Sequence, residues 1–161
     1  MHDFLRWIQT SGLGHFMRES GPWTYAIVNL LHILGVGSLF GAVVILDLRL
    51  LGVWPRTPLA ALTAAAASVA ACGFALAATS GIALLATKAT EYAGNPFIYI
   101  KFPAIAVGLI NAVMLRLSPA WQARGRRELS PREHRHLAWA GGASLVCWLT
   151  AITAGRMIAY W

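Results

Sequence analysis

The sequence predicts an all-α integral membrane protein, a four-helix bundle preceded by a short N-terminal amphipathic helix in the membrane interface. Hydrophobic residues make up 58% of the 161-residue chain and charged residues only 12%, whereas soluble domains carry about 25% charged residues. The apolar residues also fall into four long runs. Each is about as long as the 20 residues that a helix needs to cross a hydrocarbon core of about 30 Å.

The four apolar runs define a predicted domain over residues 23–161, with membrane helices at about 23–46, 59–86, 96–117 and 137–161. In lipid, every backbone polar group needs an internal partner, so each run is expected to be helical. The runs are too long and too rich in Ala and Leu for the strands of a barrel. Ser130, Pro131 and Glu133 have the spacing of a capping box at the start of the fourth helix.

Residues 1–22 form the predicted interfacial segment. Phe4 and Trp7 belong to an apolar stripe, with polar residues on the opposite side, and this pattern is typical of a helix lying in the membrane interface. The glycines at Gly12 and Gly14 are expected to interrupt this helix.

Basic residues are distributed unevenly between the two ends of the predicted helices, in a chain of net charge +7. One end holds Arg49, Arg56, Arg116, Arg124, Arg126, Arg127, Arg132 and Arg135, and the other holds Arg6, Arg18, Lys88, Lys101 and Arg156. The positive-inside rule places the first end in the cytoplasm. We therefore expect a multi-pass protein of the bacterial inner membrane with both termini in the periplasm.

The positions of these basic residues also indicate which partners the protein is expected to bind. They lie in short connectors between apolar runs, which favours orientation in a bilayer over binding of nucleic acid. The expected partner is the lipid bilayer, with a larger membrane complex or a homo-oligomer as further alternatives.

Several polar side chains lie within the predicted membrane helices. His32 is in the first helix and shares a face with Asn29. Lys101 opens the third helix, and Arg156 lies near the end of the fourth, one turn before Tyr160. Ionisable residues in membrane helices usually face the bundle interior and mark functional sites. Because these residues share the outer half of the membrane, the sequence predicts a polar pocket on that side.

Each of these residues also has a structural interpretation. His32 is equally consistent with a neutral imidazole that hydrogen-bonds a neighbouring helix, and Lys101 with a side chain that extends to the lipid headgroups. If the three basic groups do face one another, they require an anionic ligand or internal counter-charges. Glu19 and Glu91 are the expected counter-charges.

Three further expectations concern helix packing. Gly37 and Gly41 form a GxxxG pair, which is expected to let another helix approach closely. Asp47 is expected to form a salt bridge with Arg116 or with a loop arginine at the helix ends. Asn111, in the middle of the third helix, is expected to hydrogen-bond across to another helix.

The motifs "YAIVNLLHILGVGSLFGAVVILDLRLLG" and "WLTAITAGRMIAYW" resemble a family of bacterial inner-membrane proteins of unknown function. The resemblance covers His32 in the first helix, Asp47–Gly52, Lys101 and Gly155–Tyr160. It implies the four-helix fold and carries no assigned chemistry. The stretch "LLHILG" is also similar to copper-resistance D and b-type cytochrome membrane domains, in which a Leu-His pair begins an apolar helix.

The first functional hypothesis is that the outer pocket binds a redox cofactor, either b-type haem or a quinone, for electron transfer. With haem, His32 is the metal ligand through its neutral imidazole. Lys101 and Arg156 then hold the two propionates, and His15 on the interfacial segment is the candidate second ligand, with Met17 as an alternative. A quinone needs no second ligand.

Two other classes remain open. The chain is also consistent with an accessory or structural subunit of a larger membrane complex. It is consistent, as an oligomer, with an anion or proton-coupled transporter that uses His32, Lys101 and Arg156. The sequence shows no nucleophile or metal-ligand pattern, so we expect no catalytic activity of its own.

Overall fold

The structure is a computed structural model that describes residues 2–161, and over that range it is 86% helical with no strand. This confirms the predicted all-α class. The helices are α1 (His2–Thr10), α2 (Gly12–Glu19), α3 (Gly21–Leu50), α4 (Leu59–Thr87), α5 (Pro96–Leu117), α6 (Pro119–Ala123) and α7 (Pro131–Met157), with short 3-10 helices at Glu91–Gly94 and Ile158–Tyr160.

Four helices in the described range, α3, α4, α5 and α7 with its 3-10 extension, are long and apolar enough to cross a membrane. Large apolar side chains on them are exposed, including Trp23 at 80% and Leu117 at 69%. Extended apolar surface of this kind is unusual on a soluble monomer and is covered by lipid in a membrane. These properties are those of a multi-pass membrane protein, as predicted.

The chain packs as two compact units, each built from two separate parts of the sequence. The first unit contains the residues up to Leu39 together with Ala71–Pro96, and the second contains Phe40–Ala70 together with Phe97–Trp161. Both α3 and α4 therefore contribute residues to both units. The division at residue 22 between an N-terminal segment and a four-helix domain stays a prediction.

At the start of the first unit, two short helices stand where the sequence suggested one interrupted helix. Ser11 separates them and caps α2, because its hydroxyl accepts a hydrogen bond from the Gly14 backbone N–H at 3.3 Å. The break thus lies one residue before Gly12. Phe4 and Trp7 are 60% and 67% exposed on α1, as expected of an apolar face at a membrane interface.

Close contact between α3 and α4 in the first unit occurs at glycines other than the predicted pair. A Cβ built on Gly35 would lie 2.6 Å from the backbone nitrogen of Ala77, and one on Gly73 would lie 2.5 Å from that of Leu39. Apart from the adjoining part of α3 itself, no atom of the described chain lies within 4 Å of a Cβ built on Gly37 or Gly41. No helix of the described chain uses the GxxxG pair, because α4 lies against a different face of α3.

The second unit has an apolar cluster that joins α3, α5, α6 and α7. Its buried members are Leu50, Leu115, Ala120, Trp121 and Leu137. Nearby, Asn111 of α5 donates a hydrogen bond from Nδ2 to the carbonyl oxygen of Ala140 in α7 at 2.9 Å. This bond confirms the predicted contact of Asn111 with another helix.

The capping box at the start of α7 is also confirmed. The Ser130 hydroxyl accepts from the Glu133 backbone N–H at 3.3 Å, and the Glu133 carboxylate accepts from the Ser130 backbone N–H at 2.8 Å. Together the two bonds satisfy two backbone donors that a helix otherwise leaves unpaired. Pro131 occupies the first helical position, where its missing N–H costs nothing.

Ser130→Ala is expected to lower the free energy of unfolding by about 1 kcal/mol, because alanine cannot accept the bond from the Glu133 N–H. A reversible SDS titration in mixed micelles measures this change. Ser68→Ala is the matched control, since the Ser68 hydroxyl is exposed and bonds only the carbonyl of Ala64 in its own helix. Equal losses in the two variants would contradict the capping role.

Candidate functional site

His32 lies on α3 in the first unit, with its ring against α4. Its Nδ1 is 2.9 Å from the carbonyl oxygen of Ala77 and 3.2 Å from the Ser80 hydroxyl. A Cβ built on Gly81 would lie 3.0 Å from the His32 Cε1 atom, so the absence of a side chain at Gly81 makes room for the ring. The small residues of α4 therefore make room for the imidazole and fix its position.

The contact with Ala77 also determines which ring nitrogen of His32 carries the proton. A carbonyl oxygen only accepts hydrogen bonds, so Nδ1 is the donor. The Ser80 hydroxyl donates to the Leu76 carbonyl in its own helix, and it can accept from the same Nδ1–H. In the neutral imidazole, Nε2 is then the basic atom. This arrangement, with one nitrogen held by a backbone carbonyl, is typical of histidines that bind ligands through the other nitrogen.

Of the other predicted residues of the first unit, two lie at its surface and one is buried. Asn29, one turn before His32 on α3, is exposed. His15 on α2 is also exposed, and its Nδ1 is 3.5 Å from a carboxylate oxygen of Glu19. Met17, the alternative second haem ligand, is buried with 3% exposure.

The two expected counter-charges of the first unit have local partners. Glu19 contacts His15, and Glu91 forms an ion pair with Lys88 at 3.2 Å. Both pairs are within single turns of the chain and are exposed to solvent. Such pairs contribute little to stability. Each carboxylate is paired with a basic residue three or four positions away in sequence.

In the second unit, Lys101 and the end of α7 lie close together. A Cβ built on Gly155 would be 3.2 Å from the Lys101 Nζ and 3.4 Å from its Cε, so the lysine side chain runs along the glycine. Arg156, the next residue, donates a hydrogen bond from Nη2 to the Tyr160 hydroxyl. Its guanidinium lies 4.9 Å from the Tyr160 ring centroid. The structure thus brings Lys101 to the turn that carries Arg156 and Tyr160.

The predicted site residues therefore fall into two groups, with His32, Asn29 and His15 in the first unit and Lys101, Arg156 and Tyr160 in the second. A comparison with protein families covers both of these groups. The model of DUF6644, described as a family of unknown function, matches residues 4–161. The chain belongs to DUF6644.

Membership of DUF6644 confirms the predicted resemblance to a family of unknown function. A search of curated proteins and a search of solved structures each gave no match. The description of DUF6644 states no activity.

The DUF6644 chain corrects the expectation for Asp47. Its side chain is 2% exposed, and its Oδ2 has no hydrogen-bond partner within residues 2–161. The predicted salt bridge with Arg116 or a loop arginine is therefore wrong. The reason is the close packing of α3 on α7, where a Cβ on Gly141 would lie 3.1 Å from the Asp47 carbonyl oxygen. This packing directs the carboxyl toward Ser144 on α7.

Sequence reasoning missed the residues of α4 that hold His32 in this DUF6644 protein. Ala77 acts through its backbone carbonyl, which no side-chain pattern reveals. Ser80 and Gly81 did carry a signal, because a polar and a small residue stand side by side in an apolar helix.

Proposed function

We propose that this protein binds a redox cofactor in the membrane, with a quinone as the favoured cofactor and His32 as the residue that contacts it, for electron transfer. The observation that supports this proposal is the hydrogen bond between the His32 Nδ1 and the Ala77 carbonyl, 2.9 Å long. It orients the ring and assigns the proton to Nδ1, so that Nε2 is the basic nitrogen.

The chemistry of a hydroquinone matches this atom. One of its hydroxyl groups can donate a hydrogen bond to the His32 Nε2, and an imidazole is able to take up the proton that leaves on oxidation. The apolar helix around His32 suits the apolar body of a membrane quinone. In such an apolar environment, a polar group of the ligand makes its hydrogen bonds without competition from water.

A b-type haem is the second cofactor that fits the same nitrogen, with Nε2 as an axial ligand. The carbonyl-held Nδ1 supports this alternative as well. A second ligand would have to come from a residue such as His15, which is engaged with Glu19 at the surface. A quinone has no such requirement, and we therefore favour it.

The wider setting is part of the proposal. We place the protein in the bacterial inner membrane with both termini in the periplasm, on the basis of the eight arginines at one end of the helices. That Lys101 and Arg156 join His32 in one pocket stays a prediction. A larger membrane complex or a second copy of the chain is the proposed source of the electron-transfer partner.

His32→Ala is expected to weaken binding of a short-chain benzohydroquinone about threefold to tenfold, because it removes one hydrogen bond. Equilibrium binding to the detergent-purified protein measures the change. His136→Ala is the matched control, since His136 is exposed at the start of α7 in the second unit. This control should bind as the unaltered protein does.

The absorption spectrum of protein purified from haem-replete cells separates the alternatives. A Soret band that disappears in His32→Ala identifies haem as the cofactor. If neither haem nor quinone binds, the redox proposal is wrong. Co-purification with a larger complex and no cofactor then indicates an accessory subunit, and anion flux lost in Arg156→Gln indicates transport.

A further inference from the structure

A cavity of about 360 Å³ lies in the second unit beside the loop that joins α6 to α7. Its polar lining consists of Arg49, Arg124, Arg127, Glu128 and His134, and four leucines and Gly125 form the rest. The volume is in the range of about 300–1,000 Å³ that is typical of small-molecule sites. Polar side chains that are mostly basic, together with leucines, indicate an anionic ligand with an apolar portion.

Arg124 is held in a fixed orientation at this cavity. Its Nε donates to the Thr63 hydroxyl at 3.1 Å, and its Nη1 donates to the Trp121 carbonyl. The guanidinium also stacks on the Trp121 ring, 4.0 Å from the centroid. Thr63 and Trp121 are buried, with 1% and 6% exposure. These contacts leave Nη2 to meet a ligand without a further loss of side-chain freedom.

Arg49 is fixed in a similar way from the end of α3. Its Nε donates to the Thr57 carbonyl at 2.8 Å, and its Nη2 donates to the Pro55 carbonyl at 3.3 Å. Backbone carbonyls orient the guanidinium but do not neutralise it. Neither Arg49 nor Arg124 has an ion pair with a carboxylate anywhere in the described chain.

The acidic groups near the cavity do not balance this charge. Arg127 is neutralised by Glu133, with two bonds of 2.6 and 2.9 Å, which leaves Glu128 as the carboxylate of the described lining. Burial, followed by the charges of Arg116 and Arg126, lowers the pKa of Arg124 from its ordinary value. The group remains a cation at neutral pH, in an environment with an excess of positive charge.

We infer that this cavity binds a phosphate group through Arg49 and Arg124. A guanidinium fork matches the oxygens of a phosphate and binds them by two parallel hydrogen bonds. Basic pockets at the ends of membrane helices are suited to the headgroups of anionic phospholipids. The leucines of the lining, among them Leu50 and Leu137, suit the glycerol and first methylene groups of such a lipid. A free phosphate ester shares the same recognition chemistry.

The test is a titration of the purified full-length protein with dioleoylphosphatidylglycerol or dioleoylphosphatidylcholine, read by native mass spectrometry. Phosphatidylglycerol is expected to bind about tenfold more tightly than the zwitterionic lipid. Arg124→Gln is expected to reduce that affinity about tenfold, because it removes a charge-assisted contact. Arg132→Gln is the matched control, since Arg132 is exposed at the start of α7 and does not line the cavity. It should retain the affinity.

Competition with inorganic phosphate identifies the source of the phosphate. Displacement of phosphatidylglycerol at low phosphate concentration indicates a site for free phosphate, and retention indicates a lipid site. Equal losses in Arg124→Gln and Arg132→Gln, or no preference for the anionic lipid, would overturn the inference. If Arg124→Gln does not fold, Arg49→Gln carries the same expectation against the same control.

Discussion

Gly73→Ala is expected to disrupt the first compact unit, because its new methyl group would lie 2.5 Å from the backbone nitrogen of Leu39 and 3.0 Å from its Cα. Gly35→Ala meets the backbone of Ala77 in the same way, at 2.6 and 3.0 Å. Backbone atoms cannot rotate away as a flexible side chain can, so α3 and α4 have to separate. Overpacking typically costs about 1–3 kcal/mol and occasionally more, and we expect both variants at or above the upper end.

The matched controls lie on the same helix. Gly37→Ala and Gly41→Ala make the same chemical change on α3, at positions where no described atom beyond the adjoining part of α3 is within 4 Å. Alanine favours a helix over glycine by about 1 kcal/mol, so these variants should be neutral or slightly more stable. Thermal unfolding followed by size-exclusion chromatography ranks all four. If Gly73→Ala unfolds at the temperature of the controls, the close approach of the two helices is not present in the protein.

The contrast between these glycines shows what the sequence was able to predict. The number of membrane helices follows from the length of the apolar runs, because backbone groups in lipid have to bond within a helix. The capping box at Ser130 was also predictable, since all its partners lie within four residues of sequence. Helix lengths and local hydrogen bonds are formed by residues that are close in sequence, and they can therefore be predicted from the sequence.

Contacts between helices were predicted less well. The spacing of Gly37 and Gly41 satisfies the GxxxG pattern, yet Gly35 and Gly73 make the contact. A motif on one helix indicates that another helix can approach closely, but it does not determine on which face that helix packs. Asp47 gave the same difficulty, because its preference for Ser144 over the arginines depends on how α7 lies against α3.

The candidate site contains one feature that the sequence predicted and one that it did not. His32 was identified because an imidazole in an apolar helix is costly and usually has a role. One of its partners is the backbone carbonyl of Ala77, and every residue of α4 carries such a group. The sequence therefore indicated that His32 needs a partner, while the identity of that partner required coordinates.

Trp121→Ala is expected to have the largest effect in the second unit, with a loss of about 3–5 kcal/mol in unfolding free energy. Trp121 is 6% exposed and packs with Leu50, Leu115 and Leu137 in the apolar cluster. Its ring also supports the guanidinium of Arg124. The substitution removes the largest side chain of the cluster and the surface on which the arginine stacks, so stability and phosphate binding should fall together.

Two further variants separate these effects. Trp139→Ala removes the same side chain from a position on α7 that is 77% exposed, and surface substitutions of this kind usually change stability by about 0.5 kcal/mol or less. Trp121→Phe keeps an aromatic ring beneath Arg124 and should retain phosphatidylglycerol binding while it loses part of the packing. The same SDS titration measures stability, and native mass spectrometry measures the lipid. A Trp121→Ala protein as stable as Trp139→Ala would show that the cluster is not the core of this unit, because burial of the indole is the source of the expected loss.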